Sequence, residues 1–353
     1  MKAQINGIQQ LGVGVTNIHE AFAWYRKYFG MDIKMFDEAA MAELMLPHTK
    51  DEVRERHAIL ALNLQGGGGF EVWQHIGKKP EPATFEIALG DLGICFGKLK
   101  SADVRKAFAQ YKTWGLNLLT EVTTDPEGKE HFYLKDAYEN IWEVCYDANV
   151  LKPQKSVNGG VYGVTIGVVD LEVSLPIYQK LLKYDSLVYD KADVFHDWQG
   201  VPGSDKKCRR MLLRPSVKPN GAFSPLLGPS CIELVQQLEG NPRDIYEGRI
   251  WGDPGFIHIC FDINGMDALR QEVKASGFPF TVDSAIDADT FGMGEAAGSF
   301  AYIQAPEGTL IEFVETHKIP LVRKLNWFLD LTKRKPGPLP KWMFGLFSMM
   351  RIK

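Results

Sequence analysis

GFIHICFDI at residues 255–263 and APEGTLIEFVE at 305–315 bracket the stretch whose reading decides the fold. The first is an apolar strand carrying His258, and the second is a turn and strand carrying Glu312. Between them the pattern predicts a short helix from Gly265 to Ser276, a Gly-Phe-Pro break and a further extended segment. An imidazole and a carboxylate leaving an otherwise apolar sheet face need a partner, and a divalent cation is one.

Working outward, the same order of elements recurs. INGIQQLGVGVTNIHEAFAWYRKYFGMDI at 5–33 reads as strand, helix and strand, with Ala21, Trp24, Tyr25 and Tyr28 at helical spacing and Gly30 as the stop. After a polar insertion around 47–56 come two strands, the second holding Glu71. A second unit follows the KKPEPAT linker, with a helix from about Ser101 to Trp114 and Glu143 in its closing strand. NVLKPQKSVNGG is rich in Pro, Gly and polar residues and reads as the domain boundary. Beyond it a third unit ends in a strand with Glu233, and the fourth is the bracketed stretch. Gln10 and Gly163, Ile18 and Leu171, and Tyr25 and Tyr178 are each 153 residues apart, so the first and third units are repeats. The expectation is an α+β chain of four βαβββ modules in two halves, 1–148 and 159–317, followed by a tail at 318–353.

At 353 residues the chain is long enough for about two domains of roughly 150 residues. Its 45% apolar and 24% charged content is that of an ordinary globular protein. Five cysteines without a CxxC pair read as buried free thiols in a reducing compartment. MKAQINGIQQ lacks a signal-peptide core, and the sequence has no apolar run long enough to span a bilayer, so a cytoplasmic location is expected. The net charge of −4 divides into +8 in the tail and −12 in the rest. An acidic body argues against nucleic acid as a partner and leaves a small molecule. Gly66–Gly69 lacks the helix and Lys-Ser/Thr of a phosphate loop and reads as a strand-joining loop. His48, His57, His75, His131 and His196 show no paired spacing and read as surface or pocket-lining residues, while Trp73, Trp142 and Trp198 suit a core or a pocket floor.

The Val-x-Asp-Leu run at 168–171, the Phe22-x-x-Tyr25 helix core and the Pro-x-Gly-x-x-Ile-Glu turn and strand at 306–312 resemble the vicinal oxygen chelate superfamily, which includes glyoxalase I, extradiol dioxygenases and bleomycin resistance proteins. The resemblance covers about residues 5–316 and implies paired modules whose curved sheets hold a metal through their first and last strands. Carried over, those positions are Gln10 and Glu71, Gly93 and Glu143, Gly163 and Glu233, and His258 and Glu312. Two pairings are open. If neighbouring modules pair, each site has at most three ligands and none has two histidines. If the first pairs with the fourth, all intact ligands collect in one site: Gln10, Glu71, His258 and Glu312.

That set is similar to the glyoxalase I site and implies zinc, nickel, cobalt or manganese, with iron less well served. The implied activity is that of a metal-dependent lyase or isomerase, in which Glu312 first and Glu71 second move a proton through a metal-stabilised enediolate. The competing readings are a metal-free small-molecule binding protein of the bleomycin-resistance type and an extradiol-type dioxygenase, which needs a second histidine. Residue by residue, Gln10 also reads as a polar strand residue and His258 as a satisfied core histidine. In the tail, PLVRKLNWFLDL predicts a short amphipathic helix. KWMFGLFSMMRIK must pack on the body, on a second subunit or peripherally on a membrane surface.

Overall fold

A computed structural model describes residues 2–287, 291–293, 296–322 and 327–352. The first module runs β1 (Gln4–Gly14), α1 (Ile18–Phe29), β2 (Ile33–Met41), β3 (Glu55–Leu62) and β4 (Gly69–Ile76). The second runs β5 (Gly93–Ser101), α2 (Val104–Thr113), the short β6 (Asn117–Leu118) and β7 (Thr123–Thr124), β8 (Glu130–Lys135) and β9 (Ile141–Tyr146). The third has β10 (Val161–Gly167), α3 (Leu171–Pro176), β11 (Ser186–Asp193), β12 (Cys208–Arg214), α4 (Ser224–Leu227) and β13 (Cys231–Gln237). The fourth has β14 (Gly255–Asn264), α5 (Met266–Ala275), β15 (Val282–Asp283), α6 (Ser284–Asp287), β16 (Phe291–Met293), β17 (Ala296–Gln304) and β18 (Leu310–Val322). The tail adds β19 (Trp327–Asp330) and α7 (Lys341–Leu346).

The repeat extends to the helix caps. Asn17 at the start of α1 accepts from the amides of His19 and Glu20, and Asp170 at the start of α3 accepts from Glu172. Gly30 closes α1 in the left-handed conformation, at φ +66°. The buried face of α1 is Ile18, Ala21, Phe22, Tyr25 and Phe29, whereas Trp24 and Tyr28 sit half-buried at its margin.

Two sheets form, and each draws one module from each half of the chain. The first has the order β15-β17-β18-β14-β1-β4-β3-β2, and the second β11-β12-β13-β10-β5-β9-β8-β6. The seam of the first is the antiparallel pair β1 and β14, so module one joins module four. The seam of the second is β10 with β5, joining modules two and three. The glycine run at 66–69 does connect β3 to β4, as expected of a strand-joining loop. It also meets the linker closely: a Cβ on Gly67 would lie 2.8 Å from the Gly160 carbonyl carbon. Gly68 and Val161 exchange backbone hydrogen bonds at 2.8 Å there, tying one sheet to the other. A shared apolar core fills the space between them, and Phe70 stacks on Trp142 with centroids 4.7 Å apart.

The tail corrects one expectation. In place of a helix over 320–331, β18 continues to Val322 and β19 pairs back on it, with Lys318 opposite Asp330 and Ile319 opposite Leu329. Residues 323–326, which include Leu325, lie outside the described residues. The cause is an open edge: the ladder of β18 with β14 runs from Leu310 to Val314, and the strand beyond it carries backbone groups that β19 pairs from Lys318 onward. Further on, α7 and the turn after it press Phe344 and Phe347 into a cluster with Ile33, Leu64 and Leu226. Arg351 forms an ion pair with Asp32, and Ile352 donates its amide to the Asp32 carbonyl, so the tail covers the outer strand β2. Trp342 and Met349 remain exposed. No described helix is long and apolar enough to cross a membrane. All five cysteines are free and buried.

Because Phe344 is anchored in that cluster, Phe344→Ala is expected to cost about 3–5 kcal/mol of folding free energy, measurable by denaturant titration. An unchanged unfolding midpoint would mean that the tail does not pack on the body.

Candidate metal centre

The ladders around the seam of the first sheet bring four side chains to one face. On β1, Gln10 lies opposite Gly69 of the parallel strand β4, two residues before Glu71. On β14, His258 lies opposite Leu310 of the parallel strand β18, two residues before Glu312. The antiparallel seam then sets Gln10 across from Cys260 and Gly12 across from His258. Gln10 Nε2 donates to Glu71 Oε2 at 3.0 Å and to Glu312 Oε2 at 3.4 Å. His258 Nε2 stands 3.2 Å from Glu71 Oε2 and 3.1 Å from Glu312 Oε2. All four side chains are buried.

This constellation fits a divalent cation. One ligand atom each from Glu71, His258 and Glu312 lies within 4.8 Å of the others. Gln10 Oε1 has no hydrogen-bond partner, and neither nitrogen of His258 is aligned for one. The amide as oriented points its nitrogen at the carboxylates, and a half-turn of the amide presents Oε1 to the same point. Among the described residues, no lysine or arginine pairs with Glu71 or Glu312, so two buried carboxylates face one imidazole. Burial pushes the His258 ring down, but Glu312 first and Glu71 second outweigh it and hold the ring up at about 9. Burial raises the Glu312 carboxyl, yet His258 and the Tyr302 hydroxyl bring it below its ordinary value.

Three neighbours went unrecognised in the sequence. Tyr302 on β17 donates its hydroxyl to Glu312 Oε1 at 2.8 Å, leaving the other oxygen to face the cluster. Gly12 makes room for the imidazole, since a Cβ there would lie 2.6 Å from His258 Cε1. Cys260 is buried beside Glu312, and burial with that carboxylate pushes its thiol well up. A glycine two residues after a ligand was visible in the sequence, but Tyr302 reaches the site only through the β17–β18 pairing.

The corresponding place in the second sheet is built differently. In the other three modules the ligand position lies opposite the residue two before the glutamate, and in module two that residue, Ile141, lies opposite Phe96. The counterpart of Gln10 is therefore Phe96 and not Gly93, while Gly163 keeps its place opposite Cys231. Glu143 and Glu233 do converge, but the Lys98 ammonium stands between them, 2.7 Å from Glu233 and in contact with Glu143. Arg210 bridges Glu233 and Asp197, and Tyr189 and Thr165 also donate to Glu233, at 2.6 and 3.1 Å. His131, far from being a surface residue, is wholly buried, with Nδ1 2.7 Å from Glu143 and Nε2 3.3 Å from Asp197. Three cationic side chains thus offset three carboxylates where the first sheet sets one imidazole against two. Trp73, Trp142 and Trp198 are all buried in core clusters.

No family model matches the sequence, and no curated protein matches it. Solved structures do resemble it. Maize (Zea mays) glyoxalase I aligns over 89% of this chain and 92% of its own, with 13% identity and a TM-score of 0.55. A glutamate-to-glutamine mutant of the same enzyme gives 14% identity and a TM-score of 0.53, covering 89% and 94%. A candidate dioxygenase from Bacillus subtilis gives 11% identity and a TM-score of 0.56, covering 89% and 86%. The chain has the vicinal oxygen chelate fold. Its arrangement is the four-module form, with two curved sheets built from modules one and four and from modules two and three.

Burial lowers the His131 pKa, but the neighbouring carboxylates of Asp197 and Glu143 outweigh it and raise the value to about 9 from an ordinary 6.5. A folded-state value above the unfolded one means stabilisation that is complete below about pH 6.5 and is lost as pH rises through about 9. Relative to His131→Gln, the native chain should lose on the order of 3 kcal/mol of unfolding free energy between pH 6 and pH 9.5. A constant difference across that range in paired denaturant titrations would contradict a charged His131.

Proposed function

We infer that this chain is a metal-dependent lyase or isomerase of the glyoxalase type, with one working centre made by Gln10, Glu71, His258 and Glu312. What carries the reading is the pair Glu71 and Glu312, buried with a single imidazole between them in a sheet whose twin offsets the same position with lysine, arginine and histidine. Oxygen donors with one imidazole suit zinc, nickel, cobalt or manganese, leaving positions for water or substrate oxygens. When bound, such a cation supplies Lewis acidity that favours negative charge on a substrate oxygen.

The chain's own part is to move the proton. Tyr302 holds Glu312 by one carboxylate oxygen, so the other is presented to the cluster in a fixed direction. From there Glu312, loosening its hold on the cation, would take a proton from the carbon bearing a hydroxyl and return it to the adjacent carbonyl carbon as the hydroxyl proton passes between the two oxygens, with Glu71 as the second carboxylate. The cluster is buried, which keeps water from competing for that proton. The alternative, a metal-free binding protein, draws support from an apolar cleft lined by Phe36, Leu60, Leu62 and Val314 on the same sheet. A dioxygenase is less well supported, because β14 supplies one histidine to the face and β1 supplies an amide.

Elemental analysis of the purified chain should find about one divalent ion per molecule, and His258→Ala should lose it. Tyr302→Phe should retain the metal while turning over about 10–100-fold more slowly, the usual effect of removing a group that orients a ligand. If neither native nor reconstituted protein holds metal, the binding-protein reading replaces this one.

A further inference from the structure

The concave face that carries the metal centre continues into an apolar cleft. Val314 and Thr316 follow Glu312 by two and four residues on β18, so they share its face. Leu60 lies directly across β3–β4 from Glu71, with Phe36 next to it on β2. Together with Leu62 these residues floor an open apolar cleft. Its roof comes from elsewhere in the chain: Leu226 and Leu227 from α4 of module three, and Phe347 from the tail. Gln9 links the cleft to the centre. It lines the cleft beside the ligand Gln10, and its Oε1 accepts from the thiol of Cys260, 3.5 Å away.

The chemistry of the lining is narrow. Among the described residues, Gln9, Ser299 and Thr316 are its only polar side chains, and it contains no lysine, arginine, histidine, aspartate or glutamate. None of its described side chains carries a formal charge to pair with a carboxylate, phosphate or ammonium group, and a charge taken out of water without an ionic partner is strongly disfavoured. We propose that the cleft holds the body of the substrate, that this body is uncharged and predominantly apolar, and that the C-terminal segment forms part of the substrate site through Phe347. The proposal rests on the metal-centre reading for where the substrate's oxygen atoms lie. Its polar end meets Gln10, Glu71, His258 and Glu312, and its apolar end runs under α4 and the tail. Substrates carried on a multiply charged conjugating group are disfavoured by the same lining.

The test uses the full chain and two fluorescent naphthalene probes of similar size, the neutral Prodan and the anionic 1-anilinonaphthalene-8-sulfonate. Prodan should bind saturably and at least tenfold more tightly than the sulfonate. The isosteric Gln9→Glu and the Thr316→Arg variant each place a charge in the cleft and should weaken Prodan at least tenfold, whereas Thr113→Arg on the exposed surface of α2 should leave it unchanged. Phe347→Ala, checked for folding by circular dichroism, should also weaken Prodan. Equal or tighter binding of the sulfonate, or Prodan binding indifferent to both charged variants, overturns the proposal. Metal content is measured on the same samples, so the two readings fail separately. A metal-free chain that binds Prodan as described overturns the enzyme reading alone, and a metal-loaded chain that prefers the sulfonate overturns this proposal alone.

Discussion

The antiparallel ladder between β1 and β14 is the constraint on which everything else depends. It brings the opening strand of the chain against the first strand of its last module, with Gln10 opposite Cys260 and Gly12 opposite His258. Each of these strands carries a parallel partner from its own module, so one register places an amide, an imidazole and two carboxylates around a single point. Neighbouring modules pairing instead would have separated Gln10 and Glu71 from His258 and Glu312. Closure across the whole chain is slow to form and entropically costly, and the linker contacts at Gly66–Gly68 and Gly159–Val161 hold the two sheets in place once it has formed.

The two sheets show what a buried pair of carboxylates requires. Both keep glutamates on the closing strands, and both bring two of them together. In the second sheet Lys98, Arg210 and His131 provide the compensating charge from protein, and Phe96 fills the space of a ligand. In the first, Cys260 and Gly12 stand where Lys98 stands in the second, so among the described residues His258 is the one basic side chain facing the two carboxylates. Removing one partner from a buried ionic network is strongly destabilising, which explains why the second cluster is complete and not merely a vestige. Duplication has let one copy become structural while the other stays open to a cation.

Much of this was legible in the sequence because strand order and spacing repeat. The constant offset between the first and third modules marks the duplication, and His258 and Glu312 stand out as polar residues in apolar strands. Register was the part that spacing could not supply. Gly93 looked equivalent to Gly163 until the pairing of Ile141 with Phe96 shifted the position by three residues. Lys98 went unseen and His131 read as a surface or pocket-lining residue for the same reason, since a buried ion pair between strands leaves no local pattern. The tail misled by composition: Leu and Phe at helical spacing also suit a strand, and the unpaired edge of β18 decided between them. Tyr302 and the cleft roof are contributions of tertiary contact alone.

We infer one metal held by oxygen donors and a single imidazole drawn from the first and last modules. X-ray absorption at the metal edge of the zinc-reconstituted chain tests it most directly. The account predicts a first shell of oxygen and nitrogen at about 2.0–2.2 Å, outer-shell scattering from one imidazole, and no sulfur despite the nearness of Cys260. A sulfur shell at about 2.3 Å, or scattering from two or more imidazoles, would contradict it.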